Sequence, residues 1–115
     1  MLETLKALAE PHSFQIVEFL RDGPRPVNDV VHRLRLAQPQ VSKHLRVLSD
    51  AGLVDVRADA QRRIYALQPA PLKQLDLWLA RYRRIWESNF QRLDALLDEL
   101  KTKKKQRSRA KRQSE

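Results

Sequence analysis

The sequence predicts a mainly α-helical domain with one small β-hairpin. Over most of the chain, apolar residues recur every three or four positions, which is the period of an amphipathic helix. One segment, 54–67, departs from that period, because apolar and polar residues alternate there as they do in strands. The chain has only two glycines, Gly23 and Gly52, which argues against an all-β fold rich in turns.

Composition excludes several classes of protein. A chain of 115 residues suits one domain with a modest core. It has no cysteine, so disulfides, thiolate metal sites and cysteine redox switches are excluded. No stretch approaches the roughly 18 apolar residues of a membrane span. Residues 1–10 lack the apolar core of a signal peptide, so we expect a cytoplasmic protein.

Four short helices are predicted first. From the apolar spacing they cover about residues 2–9, 11–21, 27–34 and 38–50. Pro11 suits the first turn of the second helix, and a Gly- and Pro-rich break, DGPRP, separates the second helix from the third. Gly52 lies just past the fourth helix, where a left-handed residue is favoured, and Leu53 is placed to pack back on its last turn.

The hairpin follows directly. Val54 and Val56 mark its first strand, and Ile64 and Leu67 mark its second. The polar residues between them, ADAQRR, lack the Asn-Gly or Asp-Gly pair that is typical of two-residue turns. We therefore expect a longer loop.

A single long helix of about residues 70–100 is predicted next. From Leu72 to Leu100 the apolar residues are spaced by three or four positions. About thirty residues make a helix roughly 45 Å long. Residues 1–100 are therefore predicted to form one domain.

The remaining residues, 101–115, are predicted to be a disordered basic tail. They contain eight Lys or Arg and one Glu, so they carry +7 of the net charge of +9. They show no apolar periodicity and cannot fold alone. Such a tail either binds a polyanion or keeps the protein soluble, and the residues leave both readings open.

The fourth helix has two different faces. Val41, Leu45 and Leu48 fall on one side of a helical wheel, and Lys43 and Arg46 fall on the other. Gln pairs with adenine and Lys or Arg with guanine, and a helix fits the major groove. An ordinary surface helix with solvated polar side chains is the alternative for this helix alone.

The order of elements supports DNA binding. Two short helices joined by a tight turn and followed by a hairpin form the pattern of a winged helix-turn-helix. We expect the fourth helix to read bases and the hairpin, or wing, to contact the DNA backbone. The candidate DNA-binding residues are Gln38, Pro39, Gln40, Ser42, Lys43 and Arg46 on the helix, and Gln61, Arg62 and Arg63 on the wing.

The segment LAQPQVSKHLRVLSDAGLVDVRADAQRRIYAL resembles the core of the ArsR/SmtB family of bacterial winged-helix repressors. The family's Gln-Pro-x-Val-Ser-x-His-Leu run corresponds to residues 38–45, and its Leu-x-x-Ala-Gly-Leu-Val end to residues 48–54. Its Arg-rich wing and Tyr-x-Leu strand correspond to residues 62–67. The resemblance covers about residues 1–100 and implies a homodimeric DNA-binding repressor that dimerises through its first and last helices.

The apolar surface of the last helix also predicts a two-fold dimer, because one small domain cannot cover it. Such a dimer would bind a palindromic operator. The candidate interface residues are Leu2, Leu5, Leu75, Leu79, Tyr82, Trp86, Phe90 and Leu93. Two alternatives stay open: a small apolar ligand in the dimer core that releases the repressor, and a winged helix that docks a protein instead of DNA.

No metal, cofactor or catalytic site is expected. Metal-sensing members of the family place Cys on the third helix or Asp and His pairs on the last helix, whereas this chain has no Cys and no His in its last helix. Asp29 and His32 share a helix face but lack a third ligand, and His12 and His44 are interpreted as ordinary helix residues. The chain thus resembles the metal-independent members, with DNA binding insensitive to zinc, nickel, cadmium and thiol oxidants. No enzyme is expected, because no nucleophile-and-base motif or Gly-rich phosphate loop occurs.

Overall fold

The structure, a computed structural model, describes residues 1–113, and of residues 108–113 only the helical backbone. The helices are α1 (Leu2–Ala9), α2 (Pro11–Leu20), α3 (Val27–Leu34), α4 (Gln38–Asp50), α5 (Pro69–Ala80) and α6 (Arg83–Gln113). The strands are β1 (Arg25–Pro26), β2 (Val54–Asp59) and β3 (Arg62–Leu67). The predicted winged helix-turn-helix is confirmed, and α1, α3 and α4 have the predicted bounds.

The core lies within residues 1–77, among the first four helices and the sheet. There, α4 packs against α1, α2 and α3. Val41, Leu45 and Leu48 of α4 are at most 1% exposed, and Ile16 of α2 is fully buried. Because the core holds one side of α4 in place, the opposite side of this helix lies at the surface.

The end of α4 determines where the wing begins. Gly52 has φ 74°, a left-handed conformation that glycine adopts without strain. Its N–H bonds to the carbonyl of Ser49, and the N–H of Leu53 bonds to the carbonyl of Leu48, which together form a Schellman motif. Leu53 is fully buried. The predicted roles of Gly52 and Leu53 are therefore confirmed.

The wing belongs to a three-stranded antiparallel sheet in the order β1-β3-β2. Strands β2 and β3 pair as far as Asp59 and Arg62, so only Ala60 and Gln61 form the turn. The expectation of a longer loop is wrong. Ala60 has φ 56° and supplies the left-handed conformation that a two-residue turn usually takes from Gly, Asn or Asp. Strand β1 has no counterpart in the prediction and pairs with β3.

The segment predicted as one long helix over residues 70–100 contains a break. Helix α5 ends at Ala80 and α6 begins at Arg83. Between them, the N–H groups of Arg81 and Tyr82 bond to carbonyls three residues earlier, which is the tighter 3₁₀ pattern. Neither proline nor glycine occurs at the break, so the sequence carries no signal for it.

Helix α6 continues past residue 100. The described part of the predicted disordered tail, residues 101–113, is helical, and residues 114–115 lie outside the described residues. No proline or glycine interrupts this stretch, and its Lys, Arg, Gln and Ala residues favour helix. Although α6 is 31 residues long, neither it nor any other described helix is apolar enough to cross a membrane.

Candidate nucleic-acid interface

The surface of α4 that faces away from the core is polar and basic. All six predicted residues of this helix are exposed: Gln38, Pro39, Gln40, Ser42, Lys43 and Arg46. The buried residues Val41 and Leu45 lie between them in the sequence but on the other face, because positions three or four apart share one face of a helix. The face offers amide, hydroxyl, ammonium and guanidinium groups, which are the side-chain groups that pair with base edges in the major groove.

Helix α4 begins without a side-chain cap. Ala37 is its N-cap residue and makes no side-chain hydrogen bond, although its carbonyl accepts the N–H groups of Gln40 and Val41. Pro39 has no N–H, so Gln38 is the position in this first turn whose N–H has no partner within the helix. The start of a helix also carries a partial positive charge, so a DNA phosphate can bind there.

The three predicted wing residues are also exposed: Gln61, Arg62 and Arg63. One surface hollow joins all three to Gln38 at the start of α4. A second hollow is lined by Ser42 and Arg46 of α4 together with Arg63. The fold therefore brings predicted helix and wing residues into one surface, with Arg63 at the border of both hollows.

The remaining predicted residues of α4, which are Pro39, Gln40 and Lys43, border neither hollow.

On the wing, Arg62 is paired with an acidic side chain. Nη2 of Arg62 lies 3.6 Å from Oδ2 of Asp59, in an exposed ion pair of a kind that contributes little to stability. We therefore expect Arg62 to exchange this pair for a phosphate at small cost.

One cluster, formed by Glu10, His12 and His44, was missed by sequence reasoning. Glu10 accepts the N–H of Ser13 at 2.7 Å and so caps α2. Its carboxylate oxygens also lie 3.5 Å from Nδ1 of His12 and 3.2 Å from Nδ1 of His44. His12 and His44 are 32 residues apart in the chain, so no sequence spacing signals this contact.

The pKa of Glu10 lies below its ordinary value. Partial burial raises this pKa, but the hydrogen bond from the Ser13 N–H and the electrostatic interaction with the His44 imidazole are among the interactions that together outweigh burial and lower it. The carboxylate is therefore ionised at neutral pH and accepts hydrogen bonds.

Most predicted dimer residues lie exposed on apolar faces. Leu2 of α1 is 70% exposed, and Trp86 and Phe90 of α6 are 37% and 62% exposed. Leu79, Tyr82 and Leu93 are also exposed, whereas Leu5 and Leu75 are partly buried. Large apolar side chains that are exposed together commonly mark a contact with another molecule.

The sequence and the fold of this chain are similar to those of known proteins. The model of the bacterial regulatory protein, arsR family, matches residues 11–56, from α2 into the wing. The HTH-type transcriptional regulator Rv2034 of Mycobacterium tuberculosis is 40% identical over 77 residues, which are 67% of this chain and 72% of that relative. The chain belongs to the ArsR family.

Other relatives of this ArsR-family chain are regulators too. The transcriptional activator HlyU of Vibrio cholerae is 37% identical over 71 residues, which are 62% of this chain and 66% of that protein. The crystal structure of a possible transcriptional regulator for arsenical resistance aligns with this chain at a TM-score of 0.65 and 35% sequence identity. The alignment covers 72% of this chain and 86% of the chain in that structure.

The chain is thus a DNA-binding transcriptional regulator and not an enzyme, as the sequence predicted.

Proposed function

We propose that this ArsR-family chain is a dimeric repressor that binds a palindromic operator, with α4 in the major groove and the wing on the flanking backbone. The observation that carries the proposal is the exposed face of α4, which is polar and basic while Val41, Leu45 and Leu48 hold the other face in the core. A helix that is fixed on one side and polar on the other can enter the groove without rearrangement of the fold.

Within this surface we assign two roles. Gln40 and Lys43 are exposed in the first two turns of α4, from which side chains reach base edges. Arg62 and Arg63 lie on the wing and bind phosphates, which orient the protein but carry no base information. Sequence preference therefore depends on α4, and much of the overall affinity depends on the wing.

Dimerisation follows from the apolar faces. Trp86 and Phe90 remain exposed in the isolated chain, and pairing of two identical faces removes both copies from water. A two-fold dimer presents two copies of α4 to DNA, and such dimers bind half-sites about one helical turn apart. This is the reason to propose a palindromic operator.

We also propose that operator binding needs no bound metal. The chain has no Cys, and residues 69–113, which span α5 and α6, contain no His. It therefore lacks the ligand residues that metal-sensing members of the family are expected to use. Residues 1–100 act as the DNA-binding and dimerising part, and the basic residues 101–115 add contacts to DNA phosphates.

Selection of random DNA by the full-length, metal-free protein tests the proposal. We expect an enriched site with two-fold symmetry, and sedimentation of a dimer at micromolar concentration. The Lys43→Ala variant should enrich a more degenerate site, while the Arg21→Ala variant, which loses an exposed charge elsewhere, should enrich the same site as the parent. Enrichment of no sequence at all, or an unchanged preference in Lys43→Ala, contradicts the assignment of α4 to base recognition.

A further inference from the structure

We propose that Glu10, His12 and His44 form a binding site for one divalent transition-metal ion, of the Zn²⁺ class, between the α1–α2 junction and α4. This site is separate from the third-helix and last-helix positions considered from the sequence. It uses none of the residues assigned to operator binding, although His44 lies one turn of α4 beyond Gln40.

The spacing of the ligand atoms suits such an ion. Zinc binds histidine nitrogen at about 2.0–2.1 Å, so two ligands of a tetrahedral site lie about 3.4 Å apart. Oε1 of Glu10 lies 3.5 Å from Nδ1 of His12, and Oε2 of Glu10 lies 3.2 Å from Nδ1 of His44. All three ligand atoms lie within 4.8 Å of one another, so small side-chain rotations would complete the site.

The ligand types select the class of ion. Imidazole suits zinc, nickel, copper and iron, whereas magnesium and calcium take oxygen ligands only. Two histidines and one carboxylate are also a ligand set known from zinc sites that keep a fourth position open for water. The side chains of His12, His44 and Glu10 are 43%, 20% and 38% exposed, so an ion can enter and a water molecule can complete its coordination.

Two rigid elements hold the ligands in place. Glu10 is the N-cap residue of α2 and is fixed by the N–H of Ser13. His44 lies on α4, next in sequence to Leu45, which is 1% exposed. Hydrogen bonds from two imidazoles to one carboxylate would explain the same distances without an ion, and a direct binding measurement separates the two explanations.

Calorimetric titration of the full-length, EDTA-treated protein with ZnCl₂ provides that measurement, with MgCl₂ as the control salt. We expect one Zn²⁺ per chain and no measurable Mg²⁺ binding. Loss of a residue that only supports a metal ligand lowers metal affinity roughly 10- to 100-fold. Loss of a ligand itself should lower the affinity for zinc at least as much. His12→Gln, His44→Gln and Glu10→Gln should each show this loss.

His32→Gln is the matched control, because His32 is the third histidine of the chain and lies exposed on α3. It should bind zinc like the parent. Glu10→Gln retains an oxygen that can accept the N–H of Ser13, and a melting curve in EDTA verifies that each variant is folded. Zinc should raise the melting temperature of the parent and of His32→Gln, but not that of His12→Gln. The absence of zinc binding by the parent, or equal binding by the parent and all three ligand variants, overturns the proposal.

Discussion

Replacement of Arg63 by Ala should weaken DNA binding strongly at low salt and only slightly at high salt. Arg63 is exposed on the wing and borders both surface hollows beside α4, so it is well placed to contact a phosphate. A phosphate contact draws its free energy largely from counterions that leave the DNA. Its contribution therefore falls as salt concentration rises.

The magnitude follows from the number of contacts. If each subunit of the proposed dimer loses one contact, the slope of log affinity against log salt becomes shallower by about 1.8, at about 0.9 per contact. Between 50 and 200 mM salt, a fourfold change, the ratio of parent to variant affinity should shrink by roughly 12-fold. A single contact per complex would give only about 3.5-fold.

Fluorescence anisotropy with a labelled operator, at four or more salt concentrations, measures both slopes. Arg21→Ala is the matched control, because it removes the same charge from an exposed residue at the end of α2. Its slope should equal that of the parent. If Arg63→Ala and Arg21→Ala change the slope equally, the effect comes from net charge alone and the wing makes no specific phosphate contact.

Three further predictions concern the dimer, the wing turn and the basic end of the chain. Trp86→Asp should raise the dissociation constant of the dimer roughly a thousandfold, because each of the two copies loses about 2 kcal/mol of apolar burial. Sedimentation that shows an intact dimer at micromolar concentration refutes this, and Trp86→Phe is the control. Ala60→Gly should stabilise the fold by about 0.5–1 kcal/mol. It removes the strain of a Cβ in the left-handed conformation, which is about 1–2 kcal/mol, but glycine also makes the unfolded chain more flexible, which offsets part of the gain. Denaturant unfolding measures this change, and Ala58→Gly, within β2, should destabilise instead. Deletion of residues 101–115 should weaken binding to operator and to random DNA by similar factors and leave the dimer intact, whereas a loss confined to the operator would show that these residues contribute to specificity.

Much of the fold could be predicted because its signals are local. The bounds of α1, α3 and α4 follow from apolar spacing within eight to thirteen residues, and the end of α4 follows from the conformation of Gly52. Where no local signal exists, the prediction failed. The break at Arg81 and Tyr82 has no proline or glycine, and the two-residue turn places Ala60 where Gly, Asn or Asp is usual.

Part of the candidate site could be predicted in the same way. The exposed face of α4 follows from helical geometry, since Lys43 and Arg46 lie three residues apart and opposite the buried residues. The proximity of Arg63 to Ser42 and Arg46 could not be predicted, because it depends on how the wing folds back toward α4. Strand β1 likewise pairs with a strand that lies almost forty residues further along the chain.

The sequence by itself determined the regulator family and the polar, basic face of α4 that we assign to base recognition, because both depend on contiguous residues of α4 and the wing. Only the tertiary structure decided which distant side chains meet. Packing of α4 against α1 and α2 places His44 next to Glu10 and His12, although His44 lies more than thirty residues from either. The physical reason is that helix periodicity specifies a face, whereas the neighbour of that face depends on how the whole core packs.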